Sequence, residues 1–215
     1  VMQAYSMGMI ANWGAHHMDI VQWGLGTEDR GPLEVSGTCG WMTKGLWNAH
    51  AEFDLPYKYP NNIDVSVCNK YPNGVRFIGD EGWIFVSRGS AKVTASDPTM
   101  PGTTLKALDA SDVKLLDAPL GSNAVRLHVS DNHVKDWLLA IRGRTSAVTS
   151  AEIGHRSTSV CTLGHLCMKT GKALKWDYKT ETTDSAEANA LLACPERDQF
   201  SIPKVLKAAG ITVKV

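Results

Sequence analysis

The sequence predicts an α+β domain, a predominantly antiparallel open β-sheet with helices packed on one face. Three observations predict it. Helical periodicity sits toward the two ends of the chain, near residues 10–23 and 131–171, while short alternating stretches fill the middle. Gly, Pro and Asn punctuate those stretches at the spacing of a meander. The run "YPNGVRF" adds a hairpin signal, because Asn-Gly accepts the positive φ angles of a tight turn.

Each element has its own reason. The first helix is predicted over about residues 10–23, with Gly24 as the stop because glycine best tolerates a left-handed C-terminal position. Strands follow in "LEVSGTCGW" (33–41), "NAHAEFDL" (48–55) and "NIDVSVCNKY" (62–71), then, after the "PNG" turn at 72–74, in "VRFIG", "GWIFVSR" and "AKVTAS". Residues 97–124, rich in Pro, Gly, Asp and Ser, read as an irregular connection. A second helix starts near Asp131, with Val134, Trp137, Leu138 and Ile141 at i, i+3, i+4 and i+7, and ends at Arg142-Gly143. The third opens on a capping box, Thr149 to Glu152, buries Val160, Leu163, Gly164 and Cys167, and closes at Gly171. Residues 178–215 read as a surface arm. Val, Ile and Phe recur in both phases of "VRFIG" and "GWIFVSR", so the second face of the sheet is expected to be covered by another subunit, making the chain a homo-oligomer.

Composition narrows the function. The 215 residues fit one domain spanning 1–215, with 22 basic against 22 acidic side chains. Zero net charge supplies no basic surface for phosphates, so nucleic acid is not an expected partner. No apolar run approaches the roughly 18 residues a membrane span needs, and "VMQAYSMGMI" has neither the basic nor the apolar region of a signal peptide. Five cysteines without a Cys-x-x-Cys argue against a disulfide framework or a zinc site and for a reducing compartment. The expected location is cytoplasmic, or periplasmic if an export signal precedes these residues. Val1 in place of an initiator methionine suggests a fragment or a processed chain.

Chemistry concentrates in "NWGAHHMDIVQWGLG", residues 12–26. At 100° per residue, Asn12, His16, Asp19 and Trp23 fall within roughly 60° on a helix, and Trp13, His17 and Ile20 form an apolar stripe about 110° away. His17 therefore reads as a core imidazole. His16, in line with an amide and a carboxylate, has what a general acid/base needs, a ring titrating near neutrality with polar partners one turn away. The alternative is a solvated polar face, against which Trp23 argues. Metal binding through His16, Asp19 and either His133 or His155 lacks any recognised ligand spacing, and no metal is expected.

Three stretches, in order, resemble the C-terminal domain of the bacterial Gfo/Idh/MocA (glucose–fructose oxidoreductase and inositol dehydrogenase) family. "NWGAHHMDIVQWGLG" resembles the helix that follows that family's dinucleotide-binding domain. "GVRFIGDEGWIFVSRG" resembles its central hairpin. The stretch from "SDNHVKDWLLAIRGR" to "GKALKWD" resembles its closing helix pair. The resemblance implies a substrate-binding and oligomerisation domain of an NAD(P)-dependent oxidoreductase acting on a sugar or polyol. It implies that His16 matches the histidine of a proton-transferring Asp-x-x-x-His pair. Asn12 stands in the aspartate's place, and an amide can orient a hydroxyl but cannot take a proton. As substrate contacts it leaves Asp19, Trp13 and Tyr5, the two aromatics as stacking surfaces, together with His155 and Arg156 near the start of the third helix. The family's Rossmann domain, on the order of 100–150 residues, is not expected in this chain. Its only Gly-x-Gly, Gly24 to Gly26, follows a helix, the reverse of the strand-to-helix order a pyrophosphate cradle requires. NAD or NADP would serve the intact enzyme and is not expected to bind these residues alone. Two other readings stand beside this one: a non-enzymatic assembly domain, and a lyase or hydrolase using His16 with Asp19 on a sugar.

Overall fold

The computed structural model describes residues 2–87, 108–193 and 196–211. Within them lies an α+β fold of two antiparallel sheets with helices against one face of the larger. A 3-10 turn at Gly8–Ala11 leads into α1 (Trp13–Leu25), which closes on Gly26 at φ 62°. The helix thus begins and ends later than its periodicity predicts. Gly24 lies inside the helix, where the Phe77 ring occupies the space a Cβ would need, and Gly26 takes the left-handed position instead.

The larger sheet is built on β3 (His50–Tyr59). One of its edges carries β1 (Glu34–Val35) and β2 (Thr38–Trp41), and the other carries β4 (Ile63–Cys68). Beyond β1 come β8 (Leu174–Asp177) and β9 (Thr182–Thr183). Gly37, between β1 and β2, has φ 123°, and the Asp54 carbonyl stands where a side chain would begin. From Phe53 onward β3 alternates: Phe53, Leu55, Tyr57 and Tyr59 are buried, and Pro56 and Lys58 are exposed. The inner face packs against α4 (Ala151–Thr170) and α1, around Ile10, Met18, Val160, Leu163 and Cys167. Tyr57 Oη donates to the Val160 carbonyl at 3.1 Å, across Gly164, where any side chain would strike Tyr57 and Ile10. The outer face is polar, with Lys58 paired to Asp64 (2.6 Å) and Lys70 to Asp54 (2.7 Å).

The second sheet joins β5 (Val75–Gly79), β6 (Gly82–Val86) and β7 (Leu108–Ala110). Here the predicted hairpin at 72–74 fails. β4 is already paired with β3, and the chain passes through Gly74, at φ 156° against the Phe85 ring, into a different sheet. The tight turn lies instead at Asp80-Glu81, between Gly79 and Gly82. Paired residues show that Val75, Phe77, Ile84 and Val86 share one face, and Phe77 meets Gly24 of α1. On the other face Arg76 lies over the Trp83 ring at 4.5 Å and Ile78 is 79% exposed. The predicted strand "AKVTAS" and part of the irregular connection lie outside the described residues. From residue 108 that connection contains β7 and α2 (Lys114–Asp117).

α3 (His133–Ile141) is capped by Asn132, whose side chain accepts from Lys135 N–H at 2.9 Å, but its apolar stripe is not covered. Val134, Trp137 and Ile141 are all more than half exposed. The cap of α4 is also displaced by one residue. Ser150 Oγ accepts from Ile153 N–H, and Glu152 pairs with Arg156 rather than returning to the cap. The expected arm divides in two. β9 and α5 (Ala186–Asn189) pack into the fold, with Ala188 fully buried, whereas α6 (Ile202–Ala208) exposes Ile202 and Val205.

Candidate functional site

Asn12 occupies the joint between the 3-10 turn and α1. Its N–H donates to the Gly8 and Met9 carbonyls, and its side chain, exposed, makes no capping bond. His16 follows one turn later, also exposed. Between them in sequence, the buried Trp13 ring lies 5.6 Å from the His16 ring and 5.7 Å from that of His17, tilted at 59° and 38°. An indole wedged beside both imidazoles limits their rotamers, so Trp13 orients His16 and fills the helix's inner side at once. His17 is half-buried, on the side the apolar stripe predicts.

Asp19 has a defined structural partner. Its Oδ1 accepts from Ser157 Oγ at 2.8 Å, pinning α1 to α4. The row Asn12–His16–Asp19 read from the sequence is present on the helix, but its last member is engaged with the neighbouring helix. Tyr5, 85% exposed, sits in a turn closed by its N–H to the Met2 carbonyl at 3.0 Å.

His155 and Arg156 form a cluster of their own. His155 Nε2 lies 2.7 Å from Glu181 Oε1. The Arg156 guanidinium holds Glu152 at 2.7 Å, Glu181 at 3.1 Å and the Tyr178 carbonyl at 2.7 Å. Ser157 faces α1, so His155, two residues earlier, projects about 200° around α4 from it. The structure therefore does not bring His155 to the His16 edge.

Two features escaped the sequence reading. One is a pair of buried imidazoles, His50 and His165, both near Trp41 with ring centroids 6.4 and 6.3 Å from its own. His50 Nε2 lies 3.1 Å from the Met7 carbonyl, and burial pushes the His165 pKa down to about 4. The other is a groove of about 200 Å³ beside α4, with Trp176 and Leu163 in its lining. The four-residue spacing of Thr158 and Thr162, and of His155 and Ser159, was its visible signal. Among the described residues no group of three His, Cys, Asp or Glu could hold a metal ion, and no helix is long and apolar enough to cross a membrane.

Searches for relatives give little. No family model and no curated protein sequence matches the chain. Among solved structures, the chain is similar to one described as an NAD-binding protein from Listeria innocua, at 12% identity and a TM-score of 0.46. The match covers 78% of this chain and 47% of that one, so the chain spans about half the length of its structural neighbour.

Proposed function

We propose that this chain is the substrate-binding and oligomerisation domain of an NAD(P)-dependent sugar or polyol oxidoreductase of the Gfo/Idh/MocA type, inactive without a nucleotide-binding partner domain. The observation that carries the proposal is the edge at the start of α1. There Asn12 and His16 both reach solvent, one turn apart, with the Trp13 ring beside the imidazole.

The roles follow from chemistry. The His16 imidazole takes the proton of a substrate hydroxyl, because an imidazole can act as a base and this one is open to solvent. The Asn12 amide donates to, or accepts from, a neighbouring hydroxyl and so sets which carbon faces the reaction. Asp19, through Ser157, fixes the height of α1 against α4 and keeps both side chains in register. Tyr5 offers an exposed ring for the apolar face of a sugar.

The described residues do not fit a dinucleotide. The Gly24–Gly26 pair caps the end of a helix, and Gly24 is closed off by Phe77, which leaves no room for a pyrophosphate.

In the full-length enzyme, His16→Ala should lower kcat by about 10²–10⁴, the usual contribution of a general base, with much less change in KM. Undiminished turnover of every sugar the enzyme accepts would remove the proposed base. Titration of this chain alone with NADH should leave the cofactor's fluorescence unchanged.

A further inference from the structure

We propose that the groove beside α4 is a second binding site, for one small neutral polyhydroxylated molecule, a polyol or a monosaccharide ring. It lies on a different face of α4 from the His16 edge and goes beyond the function proposed above.

The wall supplied by α4 is a row of hydrogen-bond acceptors. Thr158 Oγ1 donates to the Gly154 carbonyl (2.7 Å), Ser159 Oγ to that of His155 (2.9 Å) and Thr162 Oγ1 to that of Thr158 (3.1 Å). Each hydroxyl has one proton, and each proton is directed back into the helix. What remains for a ligand is lone pairs, so the molecule that fits must bring several donors. A phosphate or carboxylate would set its own lone pairs against these.

The end of the groove is set by Glu181. Its backbone is left-handed, at φ 54°, a conformation that disfavours a non-glycine residue. The strain is held by His155 Nε2 at 2.7 Å and the Arg156 guanidinium at 3.1 Å, which meet the same carboxylate oxygen. That carboxylate, 40% exposed, keeps its second oxygen as a further acceptor for a ligand hydroxyl. Arg156, only 15% exposed, is shared between Glu152 at 2.7 Å and Glu181 at 3.1 Å, so it offsets part of the Glu181 charge and the free oxygen is a strong acceptor for a ligand hydroxyl.

The floor is apolar. Trp176 and Leu163 are buried there, and Leu192 closes one side. An acceptor row over an aromatic and aliphatic floor matches a molecule with hydroxyls on its rim and C–H groups on its face. At about 200 Å³ the groove falls below the roughly 300–1,000 Å³ of drug-sized ligands, on the scale of a single sugar ring.

The test is saturation-transfer NMR and calorimetry on the 215-residue chain. The probes are glucose and xylitol as neutral ligands, with glucose 6-phosphate and glucosamine as charged ones. Neutral ligands should bind with a Kd on the order of millimolar and the phosphorylated sugar more weakly. Thr162→Val keeps shape and removes the lone pairs, and Glu181→Gly removes the carboxylate while suiting the left-handed backbone. Each should weaken neutral binding at least about five-fold. In His16→Ala the part of the binding that depends on Thr162 and Glu181 should persist. No binding of either neutral probe, a clear preference for glucosamine, or binding lost in His16→Ala but kept in Thr162→Val would overturn the proposal. The last result would instead place the sugar at the α1 edge and support the catalytic reading alone.

Discussion

His50 and His165 are buried imidazoles, and in each one ring nitrogen keeps an unmet need. Both are more than nine-tenths buried, and each has an Nδ1 without a hydrogen-bond partner among the described residues. Burial lowers both pKa values, that of His165 to about 4, with the nearby positive charges of Lys169 and His50 adding to the shift. The sign follows from linkage. The folded pKa lies below the unfolded value of 6.5, so the unfolded chain takes up the proton first as pH falls. His165 therefore costs nothing above about pH 6.5, and stability declines from there to about pH 4. The total loss is on the order of 3 kcal/mol. Urea midpoints measured across that range should fall in the wild type and fall visibly less in His165→Gln; parallel curves would refute the assignment. Ser157→Ala tests another single contact. It leaves the half-buried Asp19 carboxylate without its donor and should cost about 1–3 kcal/mol, read as a lower thermal midpoint.

At the scale of elements, α4 comes close to β3 and to the turn before α1, and Gly164 makes that approach possible. A methyl group there meets Tyr57 Oη and the Ile10 side chain, so Gly164→Ala should destabilise by about 1–3 kcal/mol, against a slight gain if helix propensity ruled. α3 stands at the other extreme. With its stripe uncovered, its amides should exchange with deuterium far faster than those of α4 in the isolated chain. The contrast shows what the sequence could tell. Both helices and the first half of β3 were legible because local periodicity writes them, while the cap of α4 falls one residue beyond the predicted box. Which stripe finds a partner is decided by the rest of the chain, and the same i, i+3, i+4, i+7 pattern is buried in one case and bare in the other. The hairpin misreading has the same source: Asn-Gly permits a reversal, but the Phe85 ring over Gly74 and the prior pairing of β4 decide against it. Asn12 and His16 were legible as polar groups one turn apart on one side of a helix, whereas Asp19's partner lies 138 residues away on another helix and left no local trace.

For the molecule as a whole, the two sheets present different outer surfaces. Ion pairs cover that of the larger sheet, while the smaller one shows Ile78 at 79% exposure beside Trp83 and Arg76. Self-association, if it uses a sheet as proposed, uses the smaller one. Sedimentation should show an oligomer that Ile78→Lys converts to a monomer; a wild-type monomer at high concentration would dismiss the idea. The thiols have a consequence of their own. Cys161 and Cys167 lie fully inside, where burial holds their pKa values at about 12 and about 11, while Cys39 and Cys68 are only partly covered. In a Cys194→Ser background, an alkylating reagent at neutral pH will modify the outer pair first and reach the inner pair when α4 lifts from the sheet. The delay between the two steps would act as an internal stopwatch, timing the rare openings of the native state without any added label.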